Sequence, residues 1–165
     1  MARSGRRAAG ERVAIALGSN LGDRAAHLSW ALETLAGVVN GLRASPFIET
    51  SPVDVPDTQP DYLNAVAIGR TTLGAHALLD LLLALEAERG RTRTSWRAAR
   101  TLDLDLVLYG QAIIQDVRLA VPHPRFLERP FVLGPLAQLA PRWREPRSGL
   151  TLAELWQSKR PAGQP

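Results

Sequence analysis

The 165-residue sequence contains no cysteine. Disulfides and thiolate zinc sites are therefore excluded, and the composition suits a reducing cytoplasm. Lysine is almost absent: Lys159 stands alone against 19 arginines, an imbalance that coding bias explains as well as function does. Aromatic residues make up only 5 % of the chain, few for a sheet that stacks RNA bases. No apolar run approaches the roughly 20 residues needed to cross a bilayer. The run Val13–Leu17 is also too short for the roughly 7–15-residue core of a secretory signal. Neither Gly-x-x-x-x-Gly-Lys-Ser/Thr nor Gly-x-Gly-x-x-Gly occurs, so P-loop and dinucleotide cradles are both missing.

What is present is ordinary for one globular domain able to bury a proper core: 45 % hydrophobic and 22 % charged residues. The pI near 10.6 invites a nucleic-acid reading until the charge is located. Of the net +4, residues 1–12 carry +3 and Lys159 with Arg160 carry +2, which leaves −1 for residues 13–158. The basicity belongs to the ends, which argues against nucleic-acid binding by the body of the chain. The expected organisation is a flexible basic leader over 1–11, a single domain over 12–158 and a flexible tail over 159–165.

Periodicity predicts the elements. Val13–Leu17 reads as a buried strand closed by Gly18-Ser19-Asn20. A helix over 22–36 shows Leu28, Leu32, Leu35 and Ala36 on one face, with Asn20 or Asp23 as its cap. Residues 38–50 read as a second strand and 51–61 as a loop rich in Pro and Asp. Residues 62–72 read as a third strand with Tyr62, Asn64, Val66 and Ile68 on one face. A helix over 75–89 stops at Gly90. A polar loop over 91–99 leads into Arg100-Thr101-Leu102-Asp103-Leu104-Asp105-Leu106-Val107-Leu108-Tyr109. In that strand Leu102, Leu104, Leu106 and Leu108 share one face and the two aspartates share the other, with Val107 and Tyr109 beyond them. A short extended segment over 112–114, a Pro-bracketed loop and helices near 129–139 and 152–157 complete the chain. The order βαββαβ predicts an α+β fold: a ferredoxin-like antiparallel sheet with helices packed on one face and extra C-terminal helices.

Asp103 and Asp105, about 6–7 Å apart at a strand rise of roughly 3.3 Å per residue, suit one or two hard divalent ions. A solvated acidic strand face is the bland alternative. Magnesium takes one or two protein carboxylates and completes its shell with water and phosphate oxygens. Arginines supply what a polyphosphate needs, since the guanidinium fork matches phosphate oxygens in pairs. Arg91, Arg93, Arg97 and Arg100 precede the Asp strand, and Arg125 and Arg129 flank the late Pro loop. Each taken singly could be surface. His123, held between Pro122 and Pro124 beside Arg125, is a candidate phosphate donor or a structural histidine. Tyr62 and Asn64 could read a flat heterocycle by stacking and hydrogen bonding, or simply pack in the sheet. Carboxylates for magnesium with arginines for phosphate point to a nucleotide-dependent transferase.

These pieces together resemble the 6-hydroxymethyl-7,8-dihydropterin pyrophosphokinases of folate biosynthesis, from Val13 to about Gly149. The likeness rests on Ala16-Leu17-Gly18-Ser19-Asn20-Leu21-Gly22-Asp23, Gln59-Pro60-Asp61-Tyr62-Leu63-Asn64, Gly90-Arg91, Arg100-Thr101-Leu102-Asp103-Leu104-Asp105 and Val121-Pro122-His123-Pro124-Arg125. It implies ATP as co-substrate, two Mg2+ ions and a reduced pterin that receives the β,γ-diphosphate with release of AMP. By position, Asp103 and Asp105 match the metal ligands. Arg91 and Arg100 match arginines that hold the phosphates through the transfer, and Arg93, His123, Arg129 and Glu86 match further nucleotide contacts, Glu86 as a buried acid. Thr50, Val53, Tyr62, Asn64 and Phe131 match the pterin pocket, with Trp96 a candidate aromatic closing over it. The implied partners are small molecules, with no nucleic acid, no membrane and no obligate protein partner, compatible with a cytoplasmic monomer.

Two departures bear on activity. Ala98-Ala99 stands where the family usually has a proline before the Arg-Thr-Leu-Asp-Leu-Asp run, so this loop should be looser. Leu83 stands where members often place Gln. The rival readings are a non-catalytic nucleotide or pterin binder on the same scaffold and an RNA-binding module. The Asp strand disfavours the latter, since two carboxylates repel phosphate in the absence of metal.

Overall fold

The computed structural model describes residues 10–52, 58–90 and 99–159. Its centre is β1 (Glu11–Ser19), whose inner positions are almost all buried. Along it Val13, Ile15 and Leu17 point to one face, while Ala14 and Ala16 point to the other. A strand buried on both faces needs cover on both, and the chain supplies it. Two helices, α1 (Arg24–Leu35) and α2 (Ala75–Glu88), lie over the first face through Leu28, Ala31, Leu35, Leu78, Leu82 and Leu85. Two later helices, α3 (Pro130–Leu139) and α4 (Leu152–Lys159), cover the second through Val132, Leu133, Leu136, Leu152 and Leu155. Helices thus pack on both faces of the sheet, not on one. Each fully buried leucine contributes about 1.5–3 kcal/mol.

The main sheet runs β2 (Asn40–Ala44), β4 (Tyr62–Thr71), β1, β5 (Asp103–Tyr109), and every pairing is antiparallel. Residues 38–50 do not form one strand: Ser45-Pro46-Phe47 breaks them into β2 and β3 (Ile48–Thr50), both paired to β4. The Ser45 hydroxyl accepts from the Val66 amide at 2.8 Å, taking the place of a backbone acceptor at the break. A two-stranded hairpin of β6 (Ile114–Gln115) and β7 (Ala120–Val121) follows β5. Glu11 belongs to β1 and Lys159 to α4.

The caps follow local chemistry. The Asp23 carboxylate accepts from the Ala26 amide, so Asp23, not Asn20, caps α1. Gly90, at φ +82°, takes the left-handed turn that ends α2. The alternation along β5 holds only through Leu106. A register shift opposite Ala14 and Ile15 inserts Val107 as an extra residue. Leu108 consequently joins the α3–α4 face, and Tyr109 turns to the α1–α2 face, where its hydroxyl donates to the Leu73 carbonyl at 2.8 Å. Nothing in an uninterrupted Leu-x-Leu pattern announces such a bulge.

Candidate active site

Antiparallel pairing brings the start of β4 and the start of β5 to the end of β1. Gly18 sits between Asn64 on one side and Asp103 on the other, and Ala16 lies beside Asp105. All of these point toward the α3 side of the sheet. Facing them are the 3-10 turn at Phe126–Glu128 and the first turn of α3. Between the two walls lies a cavity of about 500 Å³. Its lining includes Thr50, Tyr62, Asn64, Arg100, Asp103, Asp105, Arg129 and Phe131, eight residues singled out from sequence. Gly18 keeps the floor open: a Cβ there would lie 3.4 Å from both the Tyr62 ring and Asn64 Oδ1.

One end of the cavity is charged. Arg100 Nη1 donates to Asp103 Oδ1 at 3.0 Å, and Arg129 Nη1 lies 3.8 Å from Asp105 Oδ2. Burial, reinforced by the Asp103 charge, pushes the Asp105 carboxyl up to about 7, although Arg129 and Arg100 pull the other way. A divalent cation would relieve that crowding. No group of three or more His, Cys, Asp or Glu converges among the described residues. Two hard carboxylates opening on a cleft are nevertheless the protein share that magnesium takes when phosphates and water complete its shell, so the donor set fits that ion.

The other end carries a fixed amide between aromatic side chains. Asn64 Nδ2 donates to Thr50 Oγ1 at 2.7 Å and to the Ile48 carbonyl at 3.3 Å. A carbonyl only accepts, so the Ile48 bond fixes which way the amide points and leaves Oδ1 toward Gly18. Tyr62 and Phe131 supply flat apolar walls.

Two predicted residues stand outside the lining. Glu86 is buried beneath β5, where its Oε1 accepts from the Leu104 amide at 2.8 Å, between the two aspartates in sequence. It supports the strand from behind. His123 is anchored by its own amide to the Val107 carbonyl at 2.8 Å, and its Nδ1 accepts from the Arg125 amide at 3.2 Å. Burial, and then the Arg129 charge, lower it to about 4. At neutral pH it is an uncharged imidazole with Nε2–H as its donor. Val53, Arg91, Arg93 and Trp96 lie outside the described residues.

Asn20 is the residue that sequence reasoning underused. It is fully buried at the end of β1. Its Oδ1 accepts from the Arg100 amide at 2.8 Å, and its own amide donates to the Arg100 carbonyl at 3.0 Å. Its Nδ2 donates to Gln59 Oε1 at 2.9 Å and the Pro60 carbonyl at 3.3 Å. One side chain thereby ties together the approaches to β4 and β5. The signal was a polar Ser-Asn pair closing an apolar strand, which reads equally well as a helix cap. Arg125 and Glu128 also line the cavity, and Glu128 was not anticipated.

Comparison with known proteins bears on this arrangement. The family model described as 7,8-dihydro-6-hydroxymethylpterin-pyrophosphokinase (HPPK) matches residues 14–141. The chain is 42 % identical over 144 residues to a 2-amino-4-hydroxy-6-hydroxymethyldihydropteridine pyrophosphokinase of Synechocystis, covering 86 % of this chain and 72 % of that one. It is 41 % identical over 147 residues to the Pseudomonas aeruginosa protein of the same name, covering 88 % and 90 %. An Arabidopsis thaliana folate synthesis bifunctional protein is 44 % identical over 131 residues; the match covers 78 % of this chain but 27 % of that one. Among solved structures, an HPPK-DHPS in complex with substrates superposes with a TM-score of 0.71 at 11 % identity, covering 90 % of this chain and 43 % of the other. That likeness speaks for the fold.

Proposed function

The chain belongs to the 7,8-dihydro-6-hydroxymethylpterin-pyrophosphokinase family, and on that premise we propose that the 500 Å³ cleft is where ATP and the pterin meet. The reaction forms a bond from the pterin hydroxymethyl oxygen to the β-phosphorus of ATP. The bond from that phosphorus to the α,β-bridging oxygen breaks, AMP leaves and the hydroxyl proton is released. The observation that carries this reading is the strand register: Asp103, Asp105 and Asn64 surround Gly18 in one cavity, a metal-ready end beside a heterocycle-ready end.

Phosphoryl-type transfer asks a protein mainly for positioning and charge neutralisation. Asp103 and Asp105 would hold magnesium, two ions in this reading, which when bound neutralises polyphosphate charge. Arg100 and Arg129 already lie against those carboxylates, so their remaining N–H groups are placed to take phosphate oxygens. Arg91 and Arg93 are assigned the same work on sequence alone. Neutral His123 can donate a hydrogen bond without adding charge. Asn64 Oδ1 would accept from the pterin, Thr50 holds that amide, and Tyr62 and Phe131 would flank the ring. Val53 is assigned to the same pocket, and Trp96 to closing over it, on sequence alone. Glu86 and Asn20 position these groups through β5 and the Arg100 backbone. The strand order with its two helical crossovers supports reading the sheet as a split βαβ, ferredoxin-like plan. No helix among the described residues is long and apolar enough to cross a membrane. The proposed place of action is the cytoplasm, and the proposed partners are small molecules.

The test is direct. Purified chain, ATP, magnesium and 6-hydroxymethyl-7,8-dihydropterin should yield AMP in step with pterin diphosphate, and an Asp103→Ala, Asp105→Ala double variant should not. ATP binding without AMP release would replace this reading with that of a non-catalytic binder.

A further inference from the structure

A second cavity, of about 340 Å³, lies at the opposite end of β1. Arg12 is six residues from Gly18 along the strand, roughly 20 Å at about 3.3 Å per residue, too far to share a ligand with the active cleft. The cavity is lined by Arg12, Arg70, Trp143 and Arg144 over a floor of Leu108 and Gly110, with Glu11 and Gln111 at its edge.

Three arginines meet here with a single carboxylate, Glu11. Arg12 and Arg70 are direct cross-strand partners on β1 and β4, on the face that also carries Ala14 and Ile68. Like charges directly opposite on a sheet repel. Among the described residues no carboxylate pairs with either guanidinium or with Arg144. Arg70 Nη1 donates to the Gly10 carbonyl at 3.1 Å, and Arg144 Nη1 to the Gly149 carbonyl at 2.7 Å. Each leaves most of its donors unused. Arg12 is held over the Trp143 indole, its Cζ 5.6 Å from the ring centroid.

The frame around them is rigid. The Gly110 amide donates to the Arg12 carbonyl at 2.6 Å, Gln111 Nε2 donates to the Arg144 carbonyl at 2.8 Å, and Arg144 bridges to Thr151. Three guanidinium forks line one cavity against a single carboxylate, a local charge of about +2, and such forks take oxyanions in pairs of hydrogen bonds.

We propose that this cavity is a second ligand site that binds a phosphate dianion, either free phosphate or the terminal phosphate of a phosphomonoester. A dianion matches the local charge, engages two or three forks together and removes the Arg12–Arg70 repulsion.

The experiment is a titration of the whole chain with sodium phosphate at constant ionic strength, read by ¹H–¹⁵N correlation spectra. Saturable shifts are expected at the amides of Arg12, Gly110, Gln111 and Arg144 and at the Trp143 indole. An Arg12→Gln, Arg70→Gln double variant should bind at least about tenfold more weakly, from the loss of charge-assisted hydrogen bonds. Its melting temperature should not fall and its AMP release should be unchanged. A parallel titration with AMP identifies the source: shifts at these same amides point to a phosphomonoester, and shifts with inorganic phosphate alone point to the free ion. If the double variant does not fold, Arg144→Gln, whose side chain lies outside the main sheet, takes its place with the same expectation. Non-saturating shifts, equal shifts with chloride, or unchanged affinity in the folded variant would overturn the proposal.

Discussion

Asp105 offers a quantitative test of the active cleft. Its carboxyl is pushed up to about 7, first by burial and then by the Asp103 charge. Two carboxylates about 6 Å apart at an effective dielectric near 20 repel by roughly 3 kcal/mol, or about 2 pKa units. Arg100, bonded to Asp103 at 3.0 Å, offsets part of that, so Asp103→Asn should lower Asp105 by about one unit. The assay is a ¹³C carboxyl titration without magnesium. The folded value lies above the unfolded 3.8, so the stability contributed is full below about pH 4 and is lost as pH rises toward 7. The ceiling is about 4 kcal/mol at 1.36 kcal/mol per unit. A side chain one-third exposed is screened, which reduces this to roughly 2. Asp103→Asn should therefore recover about 1 kcal/mol at pH 8 in urea unfolding of the metal-free protein. Magnesium must displace the same proton, so its affinity should fall by up to about tenfold per pH unit below 7. An Asp105 that titrates like an ordinary carboxylate, or whose titration does not move in the Asp103→Asn variant, refutes the account.

Other substitutions separate positioning from contact. Glu86→Ala strands the buried Leu104 amide and should cost about 2–4 kcal/mol by chemical denaturation, while Glu86→Gln, which keeps the acceptor, should retain most of the stability. Asn64→Leu should raise the pterin KM by about ten- to a hundredfold with little change in the KM for ATP; equal losses for both would argue against the Asn64 assignment. Gly18→Val fills the cleft floor beside Tyr62 and Asn64, and calorimetry should show pterin binding lost with ATP binding retained. His123, held near 4, should contribute no limb between pH 6 and 7, so His123→Asn should leave the shape of the pH–rate profile in that window unchanged.

Much of this molecule was legible because its chemistry is local. The short apolar run at 13–17, the shared face of Tyr62, Asn64, Val66 and Ile68, and period-3.6 leucines at 28–35 and 78–85 marked β1, β4, α1 and α2, since burial rewards those patterns whatever the topology. The Asp-Leu-Asp pair was readable for the same reason: alternation on one strand puts both carboxylates on one face. Tertiary structure alone decided what those faces meet. The Val107 bulge redirected Leu108 and Tyr109 because the pairing with β1, not the strand's own pattern, sets where an extra residue is absorbed. Asn20 became the tie between Gln59, Pro60 and Arg100 because residues 39 to 80 positions away come to lie around it. The Arg12–Arg70 pair was invisible for the same reason: 58 positions separate two arginines that only the β1–β4 register sets face to face.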